Sequence, residues 1–154
     1  MSVLVILGSK SDKKIGDKAI DILAQFGVDS RMIVASAHRS PEYLHDEIEK
    51  SDAKVIIAVA GLSAALPGAV ASKTTRPVIG VPVSGKISLD SLLSVVQMPP
   101  GIPVAAVGLD RGENAAILAV EILSLSDEQL REKLEKHRRR LKEWTIEDSK
   151  SIGD

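Results

Sequence analysis

Short runs of aliphatic residues recur along the chain, and most of them are followed by a segment with helical periodicity. The runs are continuous rather than alternating with polar residues, as in strands that are covered on both faces. The chain is 44% hydrophobic but only 2% aromatic, so Ala, Val, Ile and Leu have to build its core. Strands that alternate with helices in this way predict a parallel sheet between two helical layers.

The expected elements follow from these patterns. The strands are predicted at Val3–Leu7, Arg31–Ala35, Lys54–Ala60, Pro77–Val81 and Pro103–Gly108. The helices that follow them are predicted at Asp12–Phe26, Pro41–Lys50 and Glu113–Leu125. Gly27 is suited to end the first of these helices, and Ser40 with Pro41 is suited to begin the second. We expect a three-layer α/β/α sandwich with a flavodoxin-like strand order.

Residues 126–154 differ in character and predict an extra C-terminal helix that belongs to the same single domain as residues 1–125. Residues 126–129 fit a capping box, with Ser126 as the cap. The helix carries one narrow apolar stripe, formed by Leu130, Leu134, Leu141 and Trp144. The stripe is expected to pack either on its own domain or on another subunit. The basic run 136–140 indicates a solvated helix face.

Charge and composition exclude several classes of protein. The net charge is −1, from 20 Lys and Arg against 21 Asp and Glu, so a polynucleotide partner is not expected. The chain has no cysteine, which removes disulfides and thiolate chemistry and fits a reducing compartment. No apolar run is long enough to span a bilayer, and the N-terminus lacks a basic leader. We expect a soluble cytoplasmic protein without a membrane partner.

The loops at the carboxyl ends of the strands are where an open parallel sheet binds ligands. After the first strand, residues 8–12 offer a glycine, two hydroxyls and the amides of a helix start, which would suit a phosphate. A helix capped by Ser11 or Asp12 would explain the same residues. A carboxylate repels phosphate, so Asp12 is better suited to accept hydrogen bonds from sugar hydroxyls or a ring amine.

The loop after the second strand carries the best candidate for proton transfer. His38 can exchange a proton near neutral pH, and the adjacent Arg39 can hold an anion through two parallel hydrogen bonds. Together they predict a site for an anionic small molecule that undergoes acid or base chemistry. His45 and His137 fall on predicted helices and are expected to be structural or solvent-facing.

The remaining loops offer weaker signals. Residues 60–69 are rich in small side chains, which lets a ligand or another chain approach the backbone and also suits tight helix packing. Gln97 is either a neutral hydrogen-bonding group near the ligand or a helix end. No group of His or carboxylate residues has the spacing of a metal site, so no metal is expected.

Several short blocks, in this order, resemble the carboxyaminoimidazole ribonucleotide mutases of purine biosynthesis. They are residues 8–12, 36–41, 60–61 with 66–68, 80–83, 90–99 and 114–116. The resemblance implies the three-layer fold and a homo-octamer whose C-terminal helices take part in subunit contacts. It also implies an active site near the subunit interfaces.

The family resemblance implies a reaction and a set of site residues. The reaction moves a carboxylate from the exocyclic amine of a ribonucleotide to a carbon of its imidazole ring. His38 matches the acid/base histidine of the family. The expected substrate-binding residues are Ser9, Ser11, Asp12, Ser36, Ala37, Arg39, Gly61 and Leu66. No metal, nucleotide or biotin cofactor is implied, and the expected partner is a small ribonucleotide.

One departure from the family pattern bears on the reaction. Bacterial mutases usually have a second histidine where this chain has Ala65, while related carboxylases that use free carbon dioxide have Ser and Ala at the positions of Ser63 and Ala65. Arg39, Pro67 and residues 97–99 match the mutases instead. The expected activity is therefore the mutase, with direct carboxylation of aminoimidazole ribonucleotide as the alternative. A non-catalytic nucleotide-binding module is the third possibility.

Overall fold

The computed structural model describes residues 1–152, and its centre is a sheet of five parallel strands. The strands are β1 (Val3–Leu7), β2 (Ser30–Val34), β3 (Val55–Ala60), β4 (Val78–Pro82) and β5 (Ala105–Ala106). Their order across the sheet is β2-β1-β3-β4-β5, and every neighbouring pair is parallel. This is the flavodoxin-like order expected from the sequence, and the prediction of fold class is confirmed.

Six helices cover the two faces of the sheet. They are α1 (Lys13–Phe26), α2 (Pro41–Lys50), α3 (Leu66–Ala71), α4 (Ser88–Val96), α5 (Gly112–Ser124) and α6 (Glu128–Ile152). Alternate residues of the strands point to opposite faces, so Val3 and Val5 join one core while Leu4 and Ile6 join the other. The first core is closed by α1, α5 and α6, and the second by α2, α3 and α4.

The short helices α3 and α4 were not predicted, and the other elements differ from the predicted ones mainly at their ends. The last strand was expected over residues 103–108 but pairs only at Ala105 and Ala106, where both side chains are exposed. It is an edge strand that follows Pro103, and proline has no N–H to give to a sheet. Gly27 ends α1 in the left-handed conformation, with φ of 73°, as predicted.

The helix caps were predicted less well. Ser40 precedes α2, but its hydroxyl accepts from the amide of Ser36 rather than from the helix. At α6 the cap is Asp127, whose carboxylate accepts from the Leu130 amide at 3.1 Å, so the prediction of Ser126 as the cap was wrong. The Ser126 hydroxyl instead lies 3.4 Å from the carbonyl of Leu123, at the end of α5. Several hydroxyls and carboxylates compete for each helix start, and their order in the sequence does not decide which one is used.

The apolar stripe of α6 is divided between two environments. Leu130 and Leu134 are buried in the core shared with α1 and α5. Leu141 and Trp144 lie further along the helix and are exposed, with 39% and 50% of their surface accessible. The first half of the stripe therefore packs on its own domain, which is one of the two arrangements expected from the sequence. No helix within residues 1–152 is long and apolar enough to cross a membrane.

Candidate active site

A cleft with a volume of about 330 Å³ opens at the carboxyl ends of β1, β2 and β3. It contains every site residue predicted from the sequence. Those residues are Ser9, Ser11, Asp12, Ser36, Ala37, His38, Arg39, Gly61 and Leu66. Gly8, Ala60, Leu62, Ala64 and Ala65 complete the lining. Three loops far apart in the sequence therefore meet because the parallel strands that precede them end at one edge.

The loop after β1 forms a single 3₁₀ turn before α1 begins. The hydroxyl of Ser9 accepts a hydrogen bond from the Ser11 amide at 3.4 Å and so caps this turn. Neither Ser11 nor Asp12 caps α1 with its side chain, although capping was an alternative explanation for both. The Ser11 hydroxyl instead donates to the Asp12 carboxylate at 3.2 Å. Both side chains thus stay at the cleft rather than being used by the helix.

The loop after β2 is a closed turn that presents His38. The Ser40 amide donates to the Ser36 carbonyl at 3.0 Å, and the Ser40 hydroxyl accepts the Ser36 amide at 3.0 Å. The backbone on both sides of His38 is thus fixed while the imidazole is exposed to the cleft. Fixed backbone and a free side chain suit a group that must meet a bound substrate.

Arg39 joins this turn to the loop after β1. Its Nη2 donates to the carbonyl of Gly8 at 2.9 Å, and its Nε donates to the hydroxyl of Ser36 at 3.3 Å. The guanidinium is exposed to solvent and lines the cleft. Because it is held by two neutral oxygens rather than by a carboxylate, its charge is available to an anionic ligand.

The loop after β3 forms the opposite wall of the cleft. Ser63 and Ala64 have φ values of 65° and 30°, in the left-handed region that side chains disfavour. Each such residue costs about 1 kcal/mol or more, so the surrounding contacts must enforce the conformation. Gly61, Leu62, Ala64 and Ala65 line the cleft, so this wall offers backbone and apolar surface without an ionisable group.

The carboxyl of Asp12 is the buried ionisable group of the site, with 6% of the residue's surface exposed. Burial raises its pKa above the ordinary value of 3.8, and hydrogen bonds from Ser11 and Ser9 with the charge of Arg39 oppose this only in part. The folded protein therefore binds a proton at Asp12 more tightly than the unfolded chain does. Near neutral pH the ionised carboxylate lowers the free energy of unfolding.

Asp12→Asn is accordingly expected to raise the melting temperature at pH 7, because it removes a buried charge at nearly constant shape. The gain should shrink as pH falls through the raised pKa of Asp12 and vanish below about pH 3.8, where Asp12 is protonated in both states. Thermal unfolding of both proteins across this pH range measures the difference. Equal melting temperatures at pH 7 would contradict the proposed burial cost.

Other candidates from the sequence lie outside the cleft. Gln97 follows the last turn of α4 and is exposed. It therefore marks the end of a helix, which was one of the two interpretations of this residue, and it does not line the cleft. His45 lies on α2 with its Nε2 3.3 Å from a Glu49 carboxylate oxygen, and His137 on α6 packs edge-on against Phe26 at 5.5 Å. Within residues 1–152, no three His, Asp or Glu side chains are grouped as metal ligands.

One contact at the wall of the cleft was not predicted from the sequence. The carboxylate of Asp90, in the first turn of α4, accepts the amide of Ser63 at 2.8 Å. Asp90 was part of a block that matches the family, but its role could not be read from the sequence because its partner lies 27 residues earlier.

Comparisons with known proteins show the family to which this chain is related. The sequence model of the family described as AIR carboxylase matches residues 2–144. N5-carboxyaminoimidazole ribonucleotide mutase of Methanocaldococcus jannaschii is 58% identical, over 99% of this chain and 98% of that protein. The enzyme of the same name from Bacillus subtilis is 45% identical, over 96% of each chain. The crystal structure of Treponema denticola PurE superposes with a TM-score of 0.88 at 29% identity, covering 97% of this chain and 96% of that one. With matching sequence, fold and length, the chain belongs to the AIR carboxylase family.

Proposed function

We propose that this protein is an N5-carboxyaminoimidazole ribonucleotide mutase, an isomerase of purine biosynthesis. The high identity to relatives of that name over nearly the whole chain supports the activity. The observation that carries the proposal is the shared cleft, in which one exposed histidine, one arginine and one buried carboxylate face the same space.

His38 is the proposed acid and base. When the bond between the exocyclic nitrogen and the carboxylate carbon breaks, its electron pair stays on nitrogen, which takes a proton from His38 as carbon dioxide is released. The ring carbon then attacks the carbon dioxide, forms the new C–C bond and gives its proton to His38. The imidazole ends in its starting state, so one histidine serves both steps without a further co-reactant.

The other predicted residues are proposed to hold the ribonucleotide. Arg39 supplies a positive charge to the phosphate or carboxylate, and the hydroxyls of Ser9 and Ser11 donate to phosphate oxygens. Asp12 accepts from sugar hydroxyls or the ring amine, which compensates the cost of its burial once the ligand is bound. Ser36, Ala37, Gly61 and Leu66 shape the rest of the cleft.

Turnover of the carbamate substrate tests this proposal directly. Purified protein is expected to convert N5-carboxyaminoimidazole ribonucleotide to the ring-carboxylated isomer without ATP or added metal. A preparation that binds the substrate but forms no ring-carboxylated product would refute the mutase activity. Separate addition of EDTA controls for a metal carried through purification.

Direct carboxylation is a second candidate, which the residue at position 65 favours. Ala65 lines the cleft at the position where mutases are expected to have a second histidine. Ser63 also matches the carboxylases. An enzyme of that kind would accept aminoimidazole ribonucleotide and carbon dioxide from solution.

We further propose that the protein is a homo-octamer and that it acts in the cytoplasm. Large apolar side chains are exposed on α4, in the loops that precede α3 and α4, and on α6. They are Leu62, Ile87, Leu89, Leu93, Val96, Leu141, Trp144 and Ile146. Patches of this kind on a small domain support contacts with further copies of the chain. Analytical ultracentrifugation measures the number of subunits, and a monomer at micromolar concentration would contradict the assembly.

A further inference from the structure

The wall of the cleft formed by residues 61–65 has an unfavourable backbone conformation. Ser63 and Ala64 are both left-handed although neither is glycine. Within the loop, the Ala64 amide donates to the Gly61 carbonyl at 2.7 Å and closes a tight turn. One turn bond does not fix where the loop lies relative to the sheet, so a contact from another element is needed to place it.

Asp90 of α4 provides that contact. Its Oδ2 accepts the Ser63 amide at 2.8 Å, which makes the bond charge-assisted and stronger than one between neutral groups. The bond is made to the first of the two left-handed residues, where a change of backbone conformation would rotate the amide away. The carboxylate therefore favours the strained conformation over relaxed ones.

The helix that carries Asp90 is itself firmly attached to the sheet. The next residue, Ser91, is 1% exposed, and its hydroxyl lies 2.9 Å from the Val83 carbonyl at the end of β4. Val95, one helical turn further, is fully buried against Gly80 of β4, where a Cβ would come within 2.5 Å of its methyl group. Because these contacts hold α4 on the sheet, the carboxylate of Asp90 has a fixed position. It therefore fixes the position of the Ser63 amide that it binds.

We propose that Asp90 is a positioning residue that sets the shape of the cleft by holding the loop 61–65 in its strained conformation. The proposal rests on the proposed function for its effect on turnover. With Leu62, Ala64 and Ala65 lining the cleft, this wall contributes backbone and apolar side chains rather than an ionisable group. Its position is therefore what keeps released carbon dioxide beside the ring carbon.

Hydrogen exchange and steady-state kinetics, both measured on the full chain, test the role of Asp90. In the unchanged protein, hydrogen exchange of the Ser63 amide is expected to be slow, and Asp90→Ala is expected to abolish that protection. In the same variant, kcat/KM for the carbamate substrate should fall about ten- to hundredfold, as expected when the wall no longer holds the released carbon dioxide close to the ring carbon. Asp90→Asn keeps an oxygen that accepts the amide and should restore most of both properties.

A matched control separates this role from general effects of losing a first-turn acid. Glu128 is exposed in the first turn of α6, far from the cleft, and Glu128→Ala should leave exchange at Ser63 and kcat/KM unchanged. Asp90→Ala should also remain folded, because α4 keeps its contacts with β4 through Ser91 and Val95.

The outcomes distinguish failure of this inference from failure of the proposed function. Unchanged Ser63 exchange in Asp90→Ala would overturn the inference, and so would lost protection with unchanged kcat/KM. If the unchanged protein turned over no carbamate, the proposed function would fail, and the exchange data alone would then support or overturn the positioning role.

Discussion

His38→Asn is expected to lower kcat by at least about a hundredfold, because asparagine keeps the size and polarity of the group but cannot exchange a proton. The turn that carries His38 is closed by backbone and serine contacts that do not involve the imidazole. The substitution should therefore leave the fold and the binding of the ribonucleotide nearly unchanged. Steady-state kinetics and calorimetric titration with substrate measure the two effects separately.

His45→Asn is the matched control for this variant. His45 lies on α2 beside Glu49 and outside the cleft, so its loss should leave kcat within the error of the assay. Near-normal turnover by His38→Asn would contradict the assignment of His38 as acid and base. If the unchanged protein bound the ribonucleotide without turning it over, and His38→Asn bound it equally well, the non-catalytic binding module would be the better description.

Gly112→Ala is expected to be the most destabilising of the glycine-to-alanine substitutions in this chain. Gly112 is the first residue of α5, and a Cβ placed there would lie 2.1 Å from the carbonyl oxygen of Ile15 in α1. A backbone atom cannot move aside as a flexible side chain does, so the two helices would have to separate. Overpacking of this kind costs about 3 kcal/mol, which lowers the melting temperature by roughly 6 to 12 °C in a domain of this size.

Gly85→Ala provides the comparison for Gly112→Ala. No atom lies within 4 Å of the position that a Cβ would take at Gly85, and its φ is not in the left-handed region. The melting temperature of Gly85→Ala should therefore equal that of the unchanged protein. Equal melting temperatures for the two variants would show that α1 and α5 can separate without loss, contrary to the packing described above.

The sheet and most of the cleft could be predicted from the sequence because both depend on local patterns. Buried strands such as Val3–Leu7 are continuous aliphatic runs, and parallel strands place the loops after them at one edge. Once the strand order was assigned, Ser9, His38 and Gly61 had to lie near one another. Their meeting in one cleft follows from topology and not from any single motif.

The parts that could not be predicted depend on contacts between distant residues. Helices α3 and α4 are short, and the sequence around Gly61–Pro67 reads equally well as a loop. The bond between Asp90 and Ser63 exists only because α4 is packed on β4 next to the end of β3. The left-handed backbone of Ser63 and Ala64 has no signal in residue type, since glycine would be the expected residue at both.

The choice between the two proposed reactions depends above all on the alanine at position 65, which lines the cleft. If carbon dioxide is released and recaptured within a closed pocket, that side chain need not be ionisable, and His38 alone moves the protons. If the enzyme takes carbon dioxide from solution, the same alanine widens the access to the ring carbon. The wall held by Asp90 would matter in both cases, because it borders the cleft in which the new bond is proposed to form.

Comparison of two substrates on one preparation tests the central claim most directly. Initial rates are measured with N5-carboxyaminoimidazole ribonucleotide and, separately, with aminoimidazole ribonucleotide plus bicarbonate at increasing concentration. The mutase predicts rapid conversion of the carbamate and, at ordinary bicarbonate concentrations, little product from aminoimidazole ribonucleotide. Efficient turnover of aminoimidazole ribonucleotide with bicarbonate, and none of the carbamate, would contradict it and identify a carboxylase.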